Sequence, residues 1–87
     1  MGYVVKYKAS VLKDLRRIDL TQAEHIGAEI REKLALNPKL GIPLQGKKRT
    51  LWRYRVGHYR VVYTFNDSEL WILVVHIAHR KEVYRDF

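Results

Sequence analysis

The sequence has no cysteine, which excludes a disulfide framework and a thiolate metal site. No apolar run is long enough to span a bilayer. The N-terminus also lacks the basic, apolar and small-residue order of a secretion signal. These absences fit a cytoplasmic protein with no membrane partner. Two prolines and five glycines punctuate 87 residues, with no repeat, low-complexity tract or linker, so one domain over 1–87 is expected. Acidic residues are scarce. Nine Asp and Glu against 17 Lys and Arg leave a formal charge of +8 and a pI of about 10.0. That balance points to nucleic acid, a ribonucleoprotein surface or an acidic protein partner. Familiar catalytic signatures are missing too: there is no Gly-rich phosphate loop, no Ser/His/Asp pattern and no carboxylate pair in the predicted strands. His25, His58, His76 and His79 lack ligand spacing, and His76 and His79 point to opposite faces of a predicted strand, so no metal or cofactor is expected.

What is present centres on Leu51 to Phe65, LWRYRVGHYRVVYTF. Two runs of aromatic and β-branched residues flank Gly57-His58, and glycine at the first position of a two-residue loop suits a type II′ hairpin turn. That turn sets Val56 opposite Tyr59, Arg55 opposite Arg60, Arg53 opposite Val62 and Trp52 opposite Tyr63. Alternation then gathers Trp52, Tyr54, Val56, Tyr59, Val61 and Tyr63 on a core face, and Arg53, Arg55 and Arg60 on the other. Like charges opposite each other are unfavourable in a sheet. Such a face is either well solvated or built to receive an anion, and guanidinium is the planar fork that matches phosphate oxygens.

The rest of the chain supplies support. Tyr3 to Tyr7 read as a first strand. A helical pattern from Ala9 carries Leu12, Leu15 and Ile18 on one face. Thr21 and Glu24 form a capping box that predicts the start of a second helix, with Ala23, Ile26, Ile30 and Leu34 as its stripe and Asn37-Pro38 as its end. Pro38 to Thr50 read as a loop, in which Lys47, Lys48 and Arg49 form a basic run beside the arginine face. Asn66-Asp67-Ser68 mark a turn, and Leu70 to Ala78 are apolar on both faces, as in a central strand. The expected fold is therefore α+β, in the order β-α-α-β-β-β. It is a small, twisted, largely antiparallel sheet with an N-terminal helix pair on one face.

A basic and aromatic set of Arg53, Arg55, Arg60, His79, Arg80 and Tyr84 suits RNA cleavage. The ribose 2′-OH is the nucleophile, so the protein need supply only cationic donors for the transition state and groups that move protons. Arginine fills the first role and cannot fill the second, because it stays protonated.

The strand YRVVY (Tyr59 to Tyr63) and the ending HRKEVY (His79 to Tyr84) resemble those of the RelE/ParE superfamily of toxin–antitoxin toxins, closest to RelE-like mRNA interferases. The resemblance covers nearly the whole chain. It implies a metal-independent endoribonuclease that enters the ribosomal A site and cuts mRNA, with contacts to 16S rRNA and a cognate antitoxin that wraps the toxin. It implies a phosphate contact for Arg60, transition-state stabilisation for Arg80, and proton transfer with base stacking for Tyr84. Arg53 and Arg55 stand where well-known RelE members have two lysines, which keeps the charge but removes a group able to lose its proton. With Lys47, Lys48 and Arg49 they form the expected RNA-binding set. Other functions compatible with this sequence are a ParE-like toxin of the same fold that poisons DNA gyrase, and a non-catalytic module that binds RNA or its antitoxin. If Asp67-Ser68 is a two-residue turn, strand parity puts His79 on the cleft face, as a second proton-transfer candidate, and Arg80 on the core face. A longer or bulged turn reverses that assignment.

Overall fold

The computed structural model describes residues 2–45 and 50–79. The chain runs β1 (Val4–Tyr7), α1 (Ala9–Arg16) and α2 (Leu20–Glu29), which continues into a π-helical turn (Ile30–Leu34). A 3-10 turn (Pro38–Leu40), β2 (Ile42–Pro43), β3 (Trp52–Val56), β4 (Tyr59–Asn66) and β5 (Trp71–His79) follow. The sheet order is β1-β5-β4-β3-β2. β1 and β5 run parallel and every other neighbour pair is antiparallel. This is the expected α+β fold with one addition. The segment read as a loop from Pro38 to Thr50 contains the short edge strand β2, which two residues of sequence could not announce.

The hairpin has the register that its turn dictates: Trp52, Arg53, Tyr54, Arg55 and Val56 pair with Tyr63, Val62, Val61, Arg60 and Tyr59. Gly57 takes φ 59°, and His58 stays out of the left-handed region, the combination a type II′ turn requires. Val56, Val61, Tyr63, Ile72, Val74 and Ile77 on one face of the sheet form a single buried cluster with Val11, Ile26, Ile30 and Leu34 of the helical layer. Burying each such side chain stabilises the fold by about 1.5–3 kcal/mol before chain entropy is subtracted.

Local details depart from expectation for identifiable reasons. α2 begins at Leu20, capped by Asp19, whose carboxylate accepts from the Thr21 N–H at 3.1 Å. Asp is at least as good a cap as Thr, and its position tightens the connection from α1. In α1 it is Val11 that is buried, while Leu12 is 51% exposed. The apolar stripe is therefore Val11, Leu15 and Ile18. The turn after β4 occupies residues 67–70, so β5 starts at Trp71 rather than Leu70.

The largest departure lies in β5. Val62 pairs with His76 and Tyr63 with Val74, which leaves Val75 as an extra residue in the ladder. Such a bulge inverts the parity of every later position. His79 consequently pairs with Tyr59, and Ala78 pairs with Arg60. The parity expected for a two-residue turn is thus overturned: His79 belongs to the helix-covered face. Beyond the reach of β1, the Asp14 carboxylate of α1 closes part of the open β5 edge by accepting from the Ile77 N–H at 3.3 Å.

Candidate functional site: an arginine groove at the sheet edge

β3 and β4 deliver Arg53, Arg55 and Arg60 to the face away from the helices, as strand alternation requires. These arginines line a groove of about 310 Å³, whose opposite wall is Leu40, Gly41 and Ile42, where the 3-10 turn passes into β2. Arg55 is exposed and its Nε donates to the Gly57 carbonyl at 3.2 Å. Arg60 differs. Its Nη1 is shielded from solvent, with no hydrogen-bond partner among the described residues. A charged donor removed from water without an acceptor is costly, and a turn of the side chain towards a phosphate or carboxylate oxygen in the groove would relieve it. Leu40 and Ile42 remain 49% and 55% exposed, so an apolar rim borders the cationic floor.

None of the described side chains lining the groove is a proton shuttle. The Tyr54 phenol is pushed up by burial, and next by donating at 3.0 Å to Glu29, which also meets Lys33 at 3.1 Å. It is committed to the helix layer. His79 lies elsewhere, in a second hollow of about 570 Å³ lined by Asp14, Arg17, Tyr59 and His76 among others. There its ring centroid stands 5.8 Å from that of Tyr59 and 6.2 Å from that of His58. His76 Nδ1 approaches Asp14 at 3.3 Å. Among the described residues no group of three or more His, Cys, Asp or Glu side chains converges as a metal site would.

Of the candidates named from the sequence, the fold therefore unites Arg53, Arg55 and Arg60 and puts His79 on the other face. Lys47, Lys48, Arg49, Arg80 and Tyr84 lie outside the described residues. The groove wall at Leu40–Ile42 was not foreseen, because nothing local marks it as the partner of β3.

A family model described as the ParE toxin of the type II toxin–antitoxin system, parDE, matches residues 5–84. The chain belongs to the RelE/ParE toxin family. Toxin RelE of Mycobacterium tuberculosis is 34% identical over 84 residues, 95% of this chain and 87% of that one. In the crystal structure of the archaeal RelE–RelB complex from Pyrococcus horikoshii, the matched chain is 29% identical. Its TM-score is 0.74, with 92% of this toxin and 97% of that chain covered. The toxin–antitoxin complex RelBE2 of Mycobacterium tuberculosis gives a TM-score of 0.86 at 21% identity, covering 92% of this toxin and 100% of that chain. The toxin thus has the RelE fold, and the relatives solved with antitoxins share its sheet and helix layer. No helix among the described residues is long and apolar enough to cross a membrane.

Proposed function

We propose that this type II toxin is a ribosome-dependent endoribonuclease, acting in the cytoplasm on mRNA in the ribosomal A site, without a metal. The observation that carries the reading is Arg60: a guanidinium nitrogen shielded from water, unpartnered among the described residues, in a groove shared with Arg53 and Arg55. In such a site a preorganised donor stabilises negative charge far more than it would in water. The 2′-oxygen attacks the adjacent phosphorus and gives up its proton, and the P–O5′ bond breaks. The departing 5′-oxygen takes a proton, leaving a 2′,3′-cyclic phosphate on the upstream fragment.

Arg60, with Arg53 and Arg55, holds the phosphate and meets the charge that develops on it. Arg80 adds a further cation by resemblance, and Lys47, Lys48 and Arg49 contact RNA nearby. Proton transfer falls to Tyr84 by the same resemblance, since the groove's described side chains cannot supply it and His79 faces the helices. The relatives solved as RelE–RelB complexes support an antitoxin as the natural partner. Its acidic side chains would occupy the arginine groove and its apolar ones the rim at Leu40 and Ile42.

The family model's ParE description keeps gyrase in view, and one experiment separates the readings. Primer extension on mRNA in a translating extract should show new ends inside codons when the toxin is added, and none when ribosomes are removed. Intact mRNA together with gyrase-dependent DNA breaks supports the ParE-like reading. Intact mRNA and intact DNA support a binding module.

A further inference from the structure

Tyr63 stands on the face of β4 opposite to Arg60, fully buried, yet its hydroxyl is tied to the groove wall. It donates to the Pro38 carbonyl at 2.5 Å and accepts from the Gly41 N–H at 3.2 Å. These are the residues that lead into the wall at Leu40–Ile42. Among the described residues the wall's other backbone ties are the Leu40 N–H donating to the Asn37 carbonyl at 3.1 Å, the Leu44 N–H donating to the Leu51 carbonyl at 2.8 Å, and a short ladder. β2 pairs with β3 only at Ile42–Arg53 and Pro43–Trp52, and proline has no N–H to give a ladder. The approach is close as well: a Cβ added at Gly41 would collide with the Tyr63 hydroxyl and with the Arg53 carbonyl oxygen. Burial pushes the Tyr63 phenol up to about 12, so it remains a donor at any physiological pH.

We infer that Tyr63 is a positioning residue for the arginine groove, whose hydroxyl, acting through Pro38 and Gly41, sets the wall against which a phosphodiester backbone is held. The inference rests on the reading of the groove as an RNA site. A phenylalanine ring would fill the same core volume, but the part-buried Gly41 N–H and the buried Pro38 carbonyl would lose their partner. The wall would then be free to shift relative to Arg53 and Arg60, and fork-to-phosphate bonding tolerates little displacement.

The test uses a fluorescent 2′-O-methyl RNA hexamer, which offers phosphates but no 2′-OH to attack, so binding is read apart from cleavage. By anisotropy, Tyr63→Phe should bind at least about 5-fold more weakly than wild type, the lower end of coupling between sites. Ile26→Val, which loosens the helix layer of the same core, should bind as wild type does. Coupling is reciprocal, so saturating wild-type toxin with the hexamer should slow hydrogen exchange at the Gly41 amide by a similar factor. That measurement needs no variant that might fail to fold. Unchanged affinity in folded Tyr63→Phe, an equal loss in Ile26→Val, or Gly41 exchange indifferent to the hexamer would each overturn the inference and leave the groove an RNA site. A wild-type toxin that binds no hexamer would overturn both.

Discussion

Arg60 is only partly buried, yet one nitrogen of its charged group is shielded from solvent, which charged side chains usually avoid. Its shielded Nη1 contributes little to the free toxin's stability, because no partner among the described residues rewards its removal from water. Arg60→Ala should therefore melt within a few degrees of wild type. Its catalytic effect should be large: losing one donor of this kind costs about 2.7–4 kcal/mol of barrier, or a rate loss of about 10²–10³. Induced expression should then fail to arrest growth, and wild-type toxicity from folded Arg60→Ala would remove Arg60 from the mechanism. Tyr63 makes the opposite bargain, burying a neutral group that must stay neutral. Its folded value of about 12 lies above the unfolded value of about 10. The associated stability is full below pH about 10 and is lost as pH rises through about 12, an effect on the order of 2 kcal/mol. Tyr7 and Tyr54, each pushed up chiefly by burial, act in the same sense. Thermal unfolding between pH 9 and 12 should show the decline, and Tyr63→Phe should flatten part of it.

At the scale of elements, the bulge at Val75 decides which β5 side chains meet the helices and which meet the arginines. Ile77 is 2% exposed and belongs to the core, whereas its neighbour Ala78 pairs with Arg60. Ile77→Ala should accordingly cost about 2–5 kcal/mol in a denaturant titration. Ala78→Glu should fold normally yet bind RNA more weakly, because its carboxylate competes for Arg60. The reverse outcome would mean that the ladder runs without the bulge. The turn before β5 holds a different tension. Leu70 has φ 57° and is 51% exposed, so it adopts a left-handed conformation unfavourable for a branched side chain while burying little in return. Its carbonyl accepts from the Val4 N–H at 2.9 Å, and that backbone bond survives substitution. Leu70→Asn should raise the denaturation midpoint by the equivalent of several tenths of a kcal/mol to about 1 kcal/mol. A fall in the midpoint would mean that the leucine side chain stabilises more than its backbone costs.

Across the whole molecule, a charge of +8 on 87 residues makes association with polyanions strong and dependent on salt. If Arg53, Arg55 and Arg60 each neutralise a phosphate, the logarithm of single-strand affinity should fall with the logarithm of salt with a slope of roughly −2 from the groove alone. The basic run at Lys47, Lys48 and Arg49 should steepen it. On the proposed reading, an acidic antitoxin segment would compete for the same field. Adding it at about 100 times its dissociation constant should stabilise the toxin by about 2.7 kcal/mol and abolish hexamer binding. An antitoxin that raises the melting temperature but leaves RNA affinity unchanged would have to cover another face.

The arginine face could be read before folding because its causes are local. Gly57 sets the turn, the turn sets the register, and alternation sends Arg53, Arg55 and Arg60 to one side. The buried stripe Ile26, Ile30 and Leu34 was equally legible from helical spacing. Asp19 took the cap from Thr21 because two good capping residues lay within one turn, and the path of the chain from α1 chose between them. What stayed hidden depended on partners distant in the chain. Val75 bulges in the ladder with β4, and no feature of β5 alone marks one apolar residue among nine as surplus. The groove wall exists because Gly41 fits under the Tyr63 hydroxyl and beside the Arg53 carbonyl, a match between residues 22 apart. Charge and periodicity are written along the chain, whereas parity after a bulge and the partner of a buried hydroxyl arise only when separate segments are packed together.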